Sequence, residues 1–216
     1  EPEATEPEAT EPVVRDPSVA TDGVLPVPSI GYYKADGSFV SEHWTADPRY
    51  GDPASVVDGN REGFQYASCN FDPATLKQNS GELVPVIIFD LNDNPVTLNG
   101  LNIWSYTTET WFINFHVDVK TTAGGAWETV ATYTDVNNEA NGYWLGGDEY
   151  LYYFDKTVTA YEMRIVIDKF EGTQDGELCI YQIYEIIPMI VEVEEPEQPD
   201  PTVPSEPEAT EPEATE

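Results

Sequence analysis

Positive charge is scarce in this chain: 9 Lys and Arg stand against 41 Asp and Glu among 216 residues, a formal charge of −32. The stretch between the two ends is strongly acidic too, so the charge belongs to the folded part as well as to its flanks. A surface of that sign repels phosphate backbones and anionic headgroups, which disfavours nucleic-acid and membrane-surface binding and leaves neutral ligands, cations or basic partners. Histidine is as rare, with only His43 and His116, too few and too isolated to define a nucleophile triad. No H-E-x-x-H, G-x-S-x-G or phosphate-cradling glycine loop occurs. Glycoside hydrolysis needs only two carboxylates, but nothing marks out such a pair, and binding without catalysis is the expectation.

Cysteine is limited to Cys69 and Cys179, whose separation rules out a C-x-x-C motif and leaves either one long-range disulfide or two buried thiols. No apolar run approaches the roughly 20 residues that span a bilayer. No basic-then-apolar leader opens the chain, so a soluble segment is expected, either mature or cut from a longer protein. Helical periodicity is nearly missing: no long window carries apolar residues at i, i+3, i+4 and i+7 free of Gly, Pro or β-branched runs.

Both ends read Glu-Pro-Glu-Ala-Thr in tandem, without a large apolar side chain to bury. Residues 1–23 and 189–216 are therefore expected to be acidic Pro-rich linkers, stiffened by Pro and extended by self-repulsion. Residues 24–188 fit one domain. Identical linkers on both flanks suggest a module carried between other modules of the same parent chain.

Inside these bounds short β-type runs recur: Leu83–Leu91, Val96–Trp104, Phe112–Lys120, Trp127–Tyr133, Tyr150–Phe154, Val158–Asp168 and Leu178–Ile187, separated by Gly, Asn, Asp and Pro clusters. Phe115, Val117 and Val119 alternate with His116, Asp118 and Lys120, and Met163, Ile165 and Ile167 alternate with Arg164 and Asp168, so each strand has a core face and a wet face. Many such strands without helices predict an all-β, antiparallel jelly-roll sandwich. His116, on the wet face, is expected to be solvent-exposed.

A sugar ring offers an apolar C–H face to a flat π surface, while its hydroxyls need planar polar partners. Three segments rich in both types supply the candidate ligand residues: Trp44 and Tyr50; Trp104, Tyr106 and Trp111; and Tyr143 and Trp144. Trp104 has the opposite strand parity to Leu101 and Ile103, which turns it away from the core. Trp127, in a turn-to-strand segment, is expected to be structural, and His43 lies beside Trp44, where it would meet a sugar hydroxyl. The run Asp90–Pro95 superficially suggests a calcium helix-loop-helix, but Pro95 stands where Gly is needed and Leu101 where the bidentate Glu belongs.

The segments Ala54–Asn60, Val86–Leu91, Leu98–Ile103, Val117–Val130, Ala160–Ile165 and Ile183–Ile186, in that order and spacing, resemble the discoidin, or coagulation-factor type C, superfamily, which includes the family 32 carbohydrate-binding modules. The resemblance implies a discoidin-like jelly roll and a structural calcium held by Asp58, Asn60, Gly63 and Glu185. Oxygen ligands suit that hard cation, although relatives usually carry Thr where Gly63 stands. It further implies a lectin-like, non-catalytic carbohydrate-binding module of a secreted or cell-surface protein. The His, Trp and Arg set of galactose-binding relatives has no match here, so an aromatic site stacking along a glucan is preferred over galactose. A protein-adhesion or assembly module and a structural spacer are the alternatives. The module is expected to be monomeric.

Overall fold

The alternation read from the sequence governs the packing. In the computed structural model Phe115, Val117, Val119, Met163 and Ile165 are completely buried and Ile167 nearly so, and they meet Leu98, Leu101, Ile103, Ile183 and Ile186 from a second sheet. The structure describes residues 15–41, 52–61, 67–70, 83–107, 110–136, 143–145, 151–174, 177–178 and 180–192. Trp44, Tyr50, Gly63, Cys179, His43 and most of the linkers lie outside these residues. For Cys69, Tyr106, Trp111, Tyr143 and Trp144 only the strand position is described.

Among the described residues the first sheet contains β1 (Val19–Ala20), β4 (Ala67–Asn70), β6 (Val96–Thr107), β9 (Tyr143–Leu145), β10 (Leu151–Ala160) and β13 (Ile180–Ile190). Its order is β1-β13-β6-β10, with β4 also on β13 and β9 also on β6. The second contains β2 (Ser29–Lys34), β3 (Phe39–Val40), β5 (Leu83–Asp90), β7 (Thr110–Lys120), β8 (Glu128–Tyr133), β11 (Glu162–Gln174) and β12 (Glu177–Leu178), in the order β3-β2-β5-β11-β7-β8 with β12 on β11. All pairs are antiparallel. The fold is thus the expected all-β sandwich of two antiparallel sheets. Its first strand begins at Val19 and its last ends at Ile190, so the ladder reaches past residues 24–188 on both sides.

Besides the short strands β1, β3, β4 and β9, which the sequence reading did not name, the strands depart from it in two instructive places. The expected strand Val158–Asp168 is split at Tyr161: Val158 and Ala160 bury in the first sheet, while Met163 onward belongs to the second. Tyr161 makes the crossing, its N–H on Lys120 O (2.8 Å) and its carbonyl accepting from Leu91 N (2.9 Å). The strand Ser29–Lys34 was not expected, because Gly31 interrupts its apolar pattern. That glycine is required: a Cβ there would sit 2.7 Å from the Phe39 ring and against the Val40 carbonyl.

An aromatic trio closes one side of the sandwich. Phe115, Tyr133 and Tyr152 have ring centroids 4.7 to 5.2 Å apart, and the Tyr133 hydroxyl donates to Tyr153 O at 2.6 Å, tying β8 to β10. Burial first, with the Asp155 charge behind it, pushes Tyr133 above its ordinary value, so the hydroxyl stays a donor.

The register also fixes where the chain enters and leaves. Val19 pairs with Ile190, Thr21 N donates to Pro188 O (3.1 Å) and Val191 N donates to Thr97 O (3.1 Å). Both flanking segments therefore leave side by side at the end where β6 begins. From Leu98 to Thr107 is nine residues of strand, about 30 Å, so the end of β6 lies far from that exit.

Candidate functional site

A 3-10 turn at Pro53–Val56 starts the construction of the site. Asp52 caps it by accepting from Ala54 N at 2.9 Å, Pro53 opens it, and Val56 plugs the core with no exposed surface. The chain then turns sharply through Asp58, Gly59 and Asn60. Gly59 has φ of 78°, and the Asp58 Oδ1 accepts from Asn60 N at 2.8 Å.

This turn docks on β13. Gly59 N donates to Glu185 Oε2 at 3.1 Å, which brings the turn that carries Asp58 and Asn60, two of the residues implied as calcium ligands, against a third, Glu185, near enough for the Asp58 charge to act on it. Glu185 is 1% exposed. Burial, then the charges of Asp58 and Asp22, push its carboxyl up to about 8, opposed by the Gly59 hydrogen bond and Arg61. Arg61 is committed elsewhere: its NH2 contacts both Asp22 carboxylate oxygens at 2.6 Å. Among the described residues this buried carboxylate stands beside two other acids with one backbone donor, an environment that calls for a proton or a further cation. The oxygens available, carboxylate and amide, are those a hard cation takes. Among the described residues no three His, Cys, Asp or Glu side chains converge as a metal set, so the protein would bring two acids, Asn60 and backbone oxygens.

Trp104 stands opposite Glu185 in the β6–β13 ladder, on the face away from Leu101 and Ile103 as its parity predicts. It is not openly exposed. Its ring is half-buried with the Arg61 guanidinium 5.4 Å from its centroid, and both the Trp104 indole N–H and the Arg61 Nε are buried without a hydrogen-bond partner. Neither Arg61 nor Asp22 was singled out in the sequence, because nothing local shows that they meet.

The ladders gather the other aromatic positions. Ser105 pairs with Leu145 and Thr107 with Tyr143, which sets Trp144 across from Tyr106. Trp111, at the start of β7, pairs with Glu171 in the second sheet. Trp104, Tyr106, Trp111, Tyr143 and Trp144 therefore share the end of the sandwich remote from the chain exits. β4, paired to Ile180–Ile183, and β12, paired to Thr173–Gln174, are at that end too.

A second polar cluster was hidden by the alternation. Asp118, expected on a wet face, is 3% exposed on the outer side of β7. It accepts from Thr129 Oγ1 (2.7 Å), Arg164 Nε (2.8 Å) and Arg164 NH2 (2.8 Å). His116, expected to be solvent-exposed, is three-quarters covered, with Nδ1 2.8 Å from Asp168 and Nε2 3.6 Å from Asp118. Arg164 lies over the Trp127 ring at 4.4 Å and Lys120 lies 4.7 Å from it, which gives Trp127 its structural role. Burial works to raise Asp118, but the nearby His116 and the hydrogen bonds from Thr129 and Arg164 outweigh it and hold the carboxyl well below the usual range. The Asp118 carboxylate, with Asp168, raises His116 against the opposing effect of burial. The cross-strand register, not any local motif, assembles this cluster.

No protein-family model and no curated protein sequence matches the chain. Solved structures to which the chain is similar include family 32 carbohydrate-binding modules. The family 32 carbohydrate-binding module of EndoD from Streptococcus pneumoniae is 12% identical, with 77% of this chain and 98% of that one covered and a TM-score of 0.46. The C-terminal domain of a chitobiase from Bacteroides fragilis is 17% identical, covering 77% and 96%, with a TM-score of 0.48. Chitosan-binding module 1 of a chitosanase/glucanase from Paenibacillus sp. IK-5 is 15% identical, covering 76% and 96%, with a TM-score of 0.43. The likeness is one of fold.

Proposed function

We propose that the chain is a non-catalytic carbohydrate-binding module of a modular extracellular protein, taking a polysaccharide or glycan at the end remote from its linkers. The observation that carries this reading is the convergence of Trp104, Tyr106, Trp111, Tyr143 and Trp144 on that end by strand register. Flat rings there offer stacking surfaces, and the acidic surroundings favour a neutral ligand over an anionic one. Trp111 and Trp144, with Tyr106 and Tyr143, are the residues proposed to touch sugar. Trp104, already stacked beneath Arg61, backs them. Trp44 and Tyr50 complete the proposed set.

The chain exits support presentation over spacing. Val19 and Ile190 are direct ladder partners, so their strands lie about 4.8 Å apart, and the domain adds almost no length between its two linkers. A monomeric bead among other modules of a secreted or cell-surface parent fits this arrangement. A glucan is favoured over galactose because the flat residues outnumber the cationic ones.

Calcium is part of the proposal. Asp58, Asn60 and Glu185, joined by Gly63, would hold it, and its charge would replace the proton that the buried Glu185 otherwise needs. The protein's own contribution is the turn: Gly59 bends the chain so that Asp58 is brought near Glu185.

A glycan array probed with the 216-residue chain tests the function. Binding to a polysaccharide or glycan class is the expected result. Silence across the array together with saturable binding to a protein partner would replace this reading with an adhesion module, and silence in both assays would leave a spacer.

A further inference from the structure

A cavity lies well away from the aromatic end, on the outer face of the first sheet. Its volume is about 230 Å³, and Arg15, Asp16, Asn99, Phe154, Asp155, Lys156 and Thr157 line it. A break in the ladder makes it. β10 pairs Tyr153 with Gly100 and then Val158 with Leu98, so the four residues Phe154–Thr157 stand against Asn99 alone as a bulge, with Phe154 buried in the core and Asp155 and Lys156 exposed. Gly100 permits the close approach just before the bulge, since a Cβ there would lie 2.7 Å from Tyr152 O.

The segment entering the domain roofs the cavity. Asn99 Nδ2 donates to Asp16 O at 2.8 Å, Thr157 Oγ1 donates to Asp16 Oδ2, and Arg15 lies 4.8 Å over the Tyr153 ring. Asn99 is 2% exposed, and its side-chain oxygen is buried with no hydrogen-bond partner. A buried amide oxygen left unpaired is unfavourable, so this wall calls for a donor.

The lining selects a ligand class. Two cations, Arg15 and Lys156, balance two anions, Asp16 and Asp155, so the cavity is locally neutral in a chain of charge −32. A bare anion would face two carboxylates and offers Asn99 no donor, and a bare cation would face two basic groups. A neutral molecule dense in hydroxyls both donates and accepts, and meets Asn99, Asp155, Thr157 and the cations alike. The size suits one ring rather than a chain, being below the 300 to 1,000 Å³ usual for larger ligands.

We infer that this cavity is a second binding site, for a single neutral sugar residue or similar polyol. Asn99 is about 25 Å along β6 from Thr107, so this site and the aromatic end are occupied independently. The inference shares its ligand chemistry with the proposed function but not its location, and each can fail alone.

Backbone amide NMR of the full chain, titrated with methyl glucoside and methyl galactoside, tests it. Saturable shifts at residues 15–16, 99 and 153–157 are expected with at least one glycoside. Asp155 and Lys156 are exposed on the bulge, so the double variant D155A/K156A retains the fold and is expected to bind there at least about tenfold more weakly. Absence of shifts at these residues up to the solubility limit, or equal affinity in the variant, overturns the inference. Shifts confined to Trp111 and Trp144 overturn it while leaving the aromatic end standing. Shifts confined to the cavity do the reverse.

Discussion

Asp118 and Glu185 are both acids on sheet strands and almost equally buried, at 3% and 1% exposure, yet they are driven in opposite directions. Around Asp118 stand Arg164, Thr129 and His116, so the carboxylate is fully answered and keeps its charge. Around Glu185 stand Asp58 and Asp22, with one backbone donor from Gly59 and an Arg61 already paired to Asp22. Burial alone therefore does not decide what a carboxylate does; the sign of its neighbours does. The first site is closed and structural. Among the described residues the second is short of positive charge, which is why the calcium proposal belongs there.

The comparison breaks most visibly at Asp118. Asp118→Ala leaves Arg164 part-buried without its acid, and urea unfolding is expected to give a loss of about 3 kcal/mol. Calcium should act only at the other acid. At a concentration near 100 times Kd it is expected to stabilise the wild type by about 2.7 kcal/mol, seen as a raised Tm in calorimetry with and without chelator, and Asp58→Ala should erase the difference. Glu185→Gln sharpens the contrast further. Because burial and its acidic neighbours raise this carboxyl to about 8, the metal-free fold weakens as pH rises from the ordinary carboxylate range through that value. Removing the charge should stabilise the metal-free chain by about 1 to 2 kcal/mol at pH 8 and cancel the response to calcium.

The smallest effect concerns His116. Its value is raised in the fold by Asp118 and Asp168, so its contribution is fully present below about pH 6.5 and fades as pH rises through the raised value. The imidazole is only partly covered, so a change of about 0.5 kcal/mol is expected across that window. Unfolding midpoints of His116→Gln should lack that slope.

Much of this architecture was legible in the residues themselves. The two-residue period of Phe115, Val117 and Val119, and of Met163, Ile165 and Ile167, assigned their core faces correctly because side-chain direction in a strand is a local property. The turn at Asp58-Gly-Asn60 was legible for the same reason. Its contact with Glu185 was implied by a family resemblance, since 126 residues separate Gly59 from that glutamate. Register and the docking of loops were not legible. The first puts Arg164 beside Asp118, the second puts Arg61 against Trp104 and Asn99 beneath the entering segment, and no local pattern encodes those meetings. β2 was obscured by Gly31, which the fold needs for the Phe39 ring, and the run through Tyr161 read as one strand although its buried positions switch there from Val158 and Ala160 to Met163, Ile165 and Ile167, a change of phase that marks the change of sheet.

The central claim is that the end of the sandwich remote from the linkers binds carbohydrate through its aromatic residues. Affinity electrophoresis through gels cast with soluble polysaccharides tests it most directly, using the wild type beside Trp111→Ala and Trp144→Ala. The account predicts that at least one polysaccharide, a glucan foremost, retards the wild type and that the variants migrate as in a gel without glycan. Equal retardation of all three proteins, or none for the wild type in any gel, would contradict it.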